Sequence, residues 1–431
     1  MKRTIYVTCS LILLAAQARS QFKIDGQIRP RTELYNGNNN GKTTGDNTPG
    51  LATQQRSRLT FTYIGSGDTE GVKIVISPQV VSFWGQMPQA YDLLGDGAPG
   101  APEPNFSIFE AYAQYKVSEL LTLKFGRQAI SYGDQRWFGA LGWAASGRSH
   151  DAFVGKFDLG ESSFLDVGAT LNQTRHTNDP NTALQNIRAG NKSLQYAWFQ
   201  TKVGESLTLP IMVTNITNQD LDDSGQFDGS HTNSTTLGVM PTVKASDVLS
   251  FDGSAYYQFS GSDISAYLLA LSATYKIGGL PITFGVDMAS GTDADEDGTD
   301  HTWQQPFGTN HKFYGLMDFF YVGETRKEGL NNYFIKTAIK TGEKSKLIAQ
   351  LHHFTANKDY ARVEGLTPSK SIGSEIDLIY NMNVSKAFNV KLGYSQFLAS
   401  EEFGVIPDDD FNNWVWLQLD LKAAFFDSSK K

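Results

Sequence analysis

The sequence predicts an all-β protein, a single transmembrane antiparallel β-barrel of about 18 strands with short periplasmic turns and long extracellular loops. Three observations predict it. Apolar and polar residues alternate with period two in segments of about ten residues from residue 22 onward. The chain opens on a secretion signal. After residue 20 no apolar run approaches the ~18 residues that mark a membrane-spanning helix, whereas barrel strands cross with one greasy and one wet face.

At the N-terminus, Lys2 and Arg3 precede an apolar stretch from Ile5 to Ala16, and Ala18-Arg19-Ser20 stands before Gln21. A charged start, a short apolar run and small residues at its exit make a signal peptide over 1–20, cut after Ser20, with 21–431 as one outer-membrane β-barrel. The lone cysteine, Cys9, lies inside this segment, so the mature chain has no disulfide and no thiolate site. Of 37 basic and 45 acidic residues the signal carries Lys2, Arg3 and Arg19 and no acid, so 34 against 45 leaves −11. So acidic a chain makes nucleic acid a poor partner, and the barrel reading makes outer-membrane lipid the expected one.

In chain order, eighteen candidate strands begin near residues 22, 54, 70, 107, 120, 149, 163, 193, 206, 233, 248, 264, 281, 330, 345, 373, 388 and 412. Leu59, Phe61 and Tyr63 oppose Arg56, Arg58, Thr60 and Thr62; Leu165, Val167, Ala169 and Leu171 oppose Asp166, Thr170 and Asn172. Tyr267, Leu269 and Leu271 alternate with Ala266, Ala270 and Ser272, and Phe284 and Met288 with Gly285 and Asp287. In the last strand Leu417, Leu419 and Leu421 oppose Gln418, Asp420 and Lys422. Burying those charges in a soluble sandwich would be costly, whereas a wall between lipid and water accepts them.

Short connections at 117–119, 203–205 and 277–281 read as periplasmic turns. Long ones near 36–53, 85–106, 132–148, 174–192, 218–232, 290–329, 358–372 and 400–411 read as external loops. Trp84, Trp137, Trp143, Trp198, Trp414 and Trp416 fall near strand ends, as interfacial girdles or ordinary packing would both require.

Eight arginines fall between residues 29 and 175: Arg29, Arg31, Arg56, Arg58, Arg127, Arg136, Arg148 and Arg175. Alternation aims Arg29, Arg31, Arg56 and Arg58 at the lumen, because a lipid-facing charge at mid-depth costs about 2–4 kcal/mol. Guanidinium groups in a narrow wet pore favour anionic solutes. Alternatively they pair with Asp25, Glu33, Glu110, Asp134 and Asp151 and brace the barrel, and the pattern leaves both readings open.

The run Gly126-Arg127-Gln128, Tyr132-Gly133-Asp134-Gln135-Arg136, Trp143 and Arg148-Ser149-His150-Asp151-Ala152 resembles the alginate-export family of outer-membrane porins. The resemblance implies an eighteen-stranded barrel with an electropositive constriction that passes an anionic solute or exopolysaccharide. It nominates Arg127, Asp134, Arg136, Arg148 and Asp151 as lumen residues, and leaves room for a periplasmic export partner. The alternative is a general or substrate-selective uptake porin.

Residues 293–300 open like a calcium loop, with Asp293, Asp295 and Asp297 at alternate positions and Gly298 sixth. The twelfth position is Gln304 instead of glutamate, so the bidentate ligand is missing and the metal candidate is weak. His352 and His353 are neighbours in a strand and face opposite sides. Ser149, His150 and Asp151 have hydrolase composition but no nucleophile elbow, so the expectation is a channel without enzymatic activity or cofactor.

Overall fold

Period-two alternation commits each segment to a pleated strand, and glycine closes one of the two-residue turns. Gly278 (φ +57°) and Gly279 (φ +88°) form a two-residue turn between paired Ile277 and Leu280. Both centres need positive φ, which matches the right-handed strand twist and suits glycine.

The computed structural model describes residues 20–36, 49–85, 105–172, 191–221, 227–261, 263–293, 298–321, 326–360, 367, 369–403 and 412–430. Residues 1–19 of the expected signal segment 1–20, and Arg175, Asp295 and Asp297, lie outside the described residues. The first strands are β1 (Gln21–Asn36), β2 (Gly50–Ile64), β3 (Val72–Phe83), β4 (Asn105–Lys116), β5 (Leu121–Gln128), β6 (His150–Gly160) and β7 (Ser163–Leu171). Then follow β8 (Asn191–Val203), β9 (Leu207–Leu221), β10 (Phe227–Val239), β11 (Thr242–Lys244), β12 (Leu249–Ser260) and β13 (Ile264–Ile277). The wall ends with β14 (Leu280–Ala289), β15 (Leu330–Lys340), β16 (Ser345–Tyr360), β17 (Ser369–Asn383), β18 (Phe388–Ala399) and β19 (Asn413–Asp427).

Every stave is antiparallel to its neighbours, and β1 pairs with both β2 and β19, which closes the cylinder. β10 and β11 both lie between β9 and β12, as two halves of one stave interrupted at Met240-Pro241. Pro241 has no N–H to give the ladder, and its carbonyl accepts from Gly253 N at 2.9 Å. The barrel therefore has 18 staves.

Facing follows the alternation. Leu269, Leu271, Leu417 and Leu421 are exposed on the outer wall, whereas Asp166 and Asp287 are buried on the inner one. His352 is buried and His353 exposed, so the pair diverges as expected.

The apolar core lies inside the lumen and joins inward strand residues to two loops. Trp137 and Phe138 come from the β5–β6 connection, and Trp303, Phe307, Tyr314, Met317 and Phe320 from the β14–β15 connection. The expectation that these two connections stand outside the barrel is corrected here: their aromatic side chains bury only by turning inward.

The tryptophans follow them. Trp198, Trp414 and Trp416 are almost fully buried on inward positions, Trp137 is buried within the loop core, and Trp143 packs on the last two, so these five are not an interfacial girdle. Trp84 alone of the six is exposed.

Candidate functional site

In β1 and β2, Arg29 and Arg56 are directly opposed across the strand pair. Like charges so placed repel, and both need acceptors. The β5–β6 loop supplies them. Arg29 Nη1 donates to Gly142 O (2.6 Å), and its Nη2 to Trp143 O (2.9 Å) and Ala144 O (3.1 Å). Arg31 Nη1 donates to Trp143 O at 2.8 Å, and its guanidinium lies 3.7 Å over the Trp143 ring. Its Nε meets Glu33 Oε1 at 2.5 Å, and the Tyr35 hydroxyl donates to Glu33 Oε2 at 2.5 Å.

The ladder continues sideways. Arg56 Nη1 reaches Ala145 O at 3.4 Å, and Gln79 Nε2 donates to Ser146 O at 2.8 Å. Arg58 gives Nε and Nη2 to Gln79 Oε1 (3.0 and 2.6 Å) and stacks 3.5 Å from the Phe109 ring. Irregular backbone drawn into a barrel leaves carbonyls that must find donors, and guanidinium carries five.

The start of the same loop is held from the far wall. Arg136 Nη2 donates to Asp287 Oδ1 on β14 at 2.6 Å, its Nη1 to the Tyr314 hydroxyl at 3.2 Å, and its guanidinium lies 3.9 Å from the Phe313 ring. Asp134 accepts from Arg136 N (2.9 Å), Ser254 Oγ (2.7 Å) and the Tyr256 hydroxyl (2.9 Å). Burial works against the Arg136 charge, but Asp287, Tyr314 and Asp134 outweigh it and hold the group above the ordinary arginine range.

The two loops also grip each other. Gly139 N donates to Phe307 O (2.8 Å), Thr309 N to Gln135 O (2.9 Å) and Arg148 Nη1 to Gly308 O (2.9 Å). Trp143 stacks on His311, ring centroids 4.3 Å apart, and meets Trp414 and Trp416 edge-on at 5.6 and 4.8 Å. His311 Nδ1 in turn lies 2.6 Å from Asp318 Oδ1.

Beside these loops is a lumenal cavity of about 880 Å³, lined among others by Lys312, Lys336, Lys391, Gln350, Asn381 and Trp416. Its carboxylates are occupied: Asp134 and Asp287 serve Arg136, and Asp252 accepts from Thr242 Oγ1 at 2.9 Å. Lys312 Nζ is spent on Asp134 O at 2.9 Å. Lys336 and Lys391 make no ion pair or hydrogen bond among the described residues; Lys336 rests 4.5 Å from the Phe334 ring. Sequence reasoning passed over both lysines, although each alternates with outward neighbours, Lys391 with exposed Leu392.

Of the residues expected to line the lumen, Arg29, Arg31, Arg56, Arg58, Asp134, Arg136 and Arg148 all lie in it, packed against loop backbone. Arg127 and Asp151 do not. They pair at 3.1 Å and, two residues from exposed Phe125 and Phe153, share the outward face at the strand ends. Period two decides their side, and near the rim a lipid-facing charge costs only about 0–1 kcal/mol. Asp293 is paired with Lys358 at 2.7 Å, and no group of three His, Cys, Asp or Glu converges among the described residues.

The alginate export family profile matches residues 98–412. The fold is similar to that of Acinetobacter baumannii OccAB4 (TM-score 0.60, 11% identity, 95% of this chain and 99% of that one). It is also similar to the Pseudomonas aeruginosa outer membrane protein opdK (TM-score 0.62, 11% identity, 94% and 99%). A structure of P. aeruginosa OpdK with vanillate matches alike (TM-score 0.62, 12% identity, 94% and 99%). No curated protein sequence matches the chain.

Proposed function

We propose, from the premise that this chain belongs to the alginate export family and is an outer-membrane barrel, that it is a channel selective for small anionic solutes. The observation that carries this reading is the pairing pattern of the cavity. There, Lys336 and Lys391 face open volume, and with Arg136 and Lys312 the lining carries four cations against the three carboxylates of Asp134, Asp252 and Asp287, two of which share Arg136. An unpaired ammonium beside a wet, narrow path offers a weak, transient contact to a passing carboxylate. The arginines foreseen as the charge track serve instead to hold the constriction in place.

A linear polyanion shares this chemistry and would fit the family's name. The bonded loop pairs Gly139–Phe307, Thr309–Gln135 and Arg148–Gly308 favour a small solute over a polymer. The ligand named with OpdK, vanillate, is a small carboxylate, which agrees in class. In this reading residues 1–20 are removed on export, and the membrane-inserted protein begins at Gln21.

Planar-bilayer reversal potentials across a salt gradient test the proposal. Anion preference that falls in Lys336→Gln/Lys391→Gln supports it. Marked cation selectivity persisting at low salt overturns it, and passage of oligouronates as readily as monomeric carboxylates overturns the small-solute part.

A further inference from the structure

Along staves β14 to β18 lies a second buried polar system, of which the transport reading uses only the Arg136–Asp287 pair. Arg136 bonds Asp287 on β14; the other oxygen of Asp287, Oδ2, accepts from Asn332 Nδ2 on β15 at 2.9 Å. Asn332 Oδ1 lies 2.9 Å from His352 Nδ1 on β16, and His352 Nε2 is 3.8 Å from Asp377 Oδ2 on β17. Asp377 Oδ1 accepts from Ser395 Oγ on β18 at 2.5 Å. Five adjacent staves thus carry essentially unexposed polar side chains at one level, bonded across β14–β16 and across β17–β18, with His352 and Asp377 in proximity between the two runs.

One member of this belt and a neighbouring carboxyl group reach the β14–β15 loop. Asn332 Nδ2 donates to Phe313 O at 3.2 Å. Glu375, on the same inward face as Asp377 and fully buried, accepts the Leu316 and Met317 backbone amides on one oxygen, Oε1, at 2.5 and 2.9 Å. Gly315 sits against that carboxylate with φ +81°, and a Cβ there would come within 2.4 Å of Glu375 Oε2. The loop therefore approaches the wall so closely that only glycine fits, and its amides point at one acceptor.

We propose that Glu375 is a positioning residue that sets the bore of the channel. It latches segment 313–317 to β17, and the belt through Asn332 and Asp287 holds the β5–β6 loop to the same anchorage. The inference rests on the channel reading but concerns pore size, not charge preference. Two neighbouring backbone N–H groups on one carboxyl oxygen make a two-point clamp. Without it those amides would be buried and unpaired, and the segment would gain by moving to water.

The test is single-channel conductance and the size limit for neutral polymers in Glu375→Ala, Glu375→Gln and Gly315→Ala, with folding confirmed by strand-rich circular dichroism. Glu375→Ala is expected to raise conductance and admit larger polymers. Glu375→Gln keeps the Oε1 acceptor and is expected to stay close to wild type. Gly315→Ala, which leaves every wall residue intact, is expected to act like Glu375→Ala, and it decides the matter if that variant fails to fold. Folded Glu375→Ala, or Gly315→Ala in its absence, with wild-type conductance and polymer limit overturns the latch. Loss of anion preference with an unchanged bore would count against the latch alone. A changed bore in a cation-selective channel would spare the latch and sink the anion reading.

Discussion

The two basic flanks of the lumen do opposite work with nominally similar charges. On β1 and β2, Arg29, Arg31 and Arg56 are nearly unexposed and each bonds a loop carbonyl. On β15 and β18, Lys336 and Lys391 face the cavity without a partner among the described residues. Guanidinium is planar, forked and weakly hydrated, so it suits permanent multi-point anchorage; ammonium is a mobile, well-hydrated point charge, suited to contacts that must break. The difference shows that counting cations on a lumenal face does not reveal which of them a solute meets.

The largest expected effect comes from striking the anchorage at its buried ion pair. Asp287→Ala leaves buried Arg136 with Asp134 alone, 3.4 Å away, removes the acceptor of Asn332 Nδ2, and should cost about 3–5 kcal/mol, read as a lower denaturant midpoint at unchanged m-value. Arg29→Ala should cost less, about 1–3 kcal/mol, because it leaves the Gly142 and Ala144 carbonyls without donors, while Trp143 O keeps Arg31, rather than a buried charge short of its partner. It should also raise current noise as the loop loosens.

The lysine flank should behave in reverse. Lys336→Gln/Lys391→Gln should leave stability within about 0.5 kcal/mol, as for changes away from packed or paired groups. It should nevertheless lower the anion-to-cation permeability ratio, and by more in dilute salt, since the screening length is about 10 Å at 0.1 M and about 3 Å at 1 M. If Arg29→Ala shifts that ratio more than the double lysine variant does, the contrast between the flanks is wrong.

Arg127→Ala is the smallest perturbation. Its pair with Asp151 is exposed on the outer face, so the loss should be at most about 1 kcal/mol, with selectivity unchanged. A selectivity change there would return Arg127 to the lumen.

The wall was legible strand by strand. Expected starts at 163, 264, 330, 345 and 388 coincide with observed strands β7, β13, β15, β16 and β18. β10 begins at Phe227, six residues before the expected 233, because Ser230, His231, Thr232 and Asn233 offer no apolar partner for alternation. The side taken by Arg127 was equally legible, since Phe125 shares its parity, but the motif was followed instead. Tryptophan was not legible: an amphipathic ring suits a headgroup layer and a packed lumen alike. A readable clue to the inward loops was their aromatic density, from Trp303 through Phe313 and Tyr314 to Phe319, Phe320 and Tyr321, far above what solvated loops carry.

Sequence by itself determined the barrel, its 18 staves and the inward aim of Arg29, Arg31, Arg56 and Arg58, because a strand's two faces follow from neighbours two residues away. Only the tertiary structure decided what those arginines hold, which lysines stay open and how Glu375 pins the second loop. Those outcomes join residues such as Arg29 and Gly142, 113 positions apart, or Leu316 and Glu375, 59 apart. No local period encodes a meeting between a wall and a loop that folds back across the lumen to reach it.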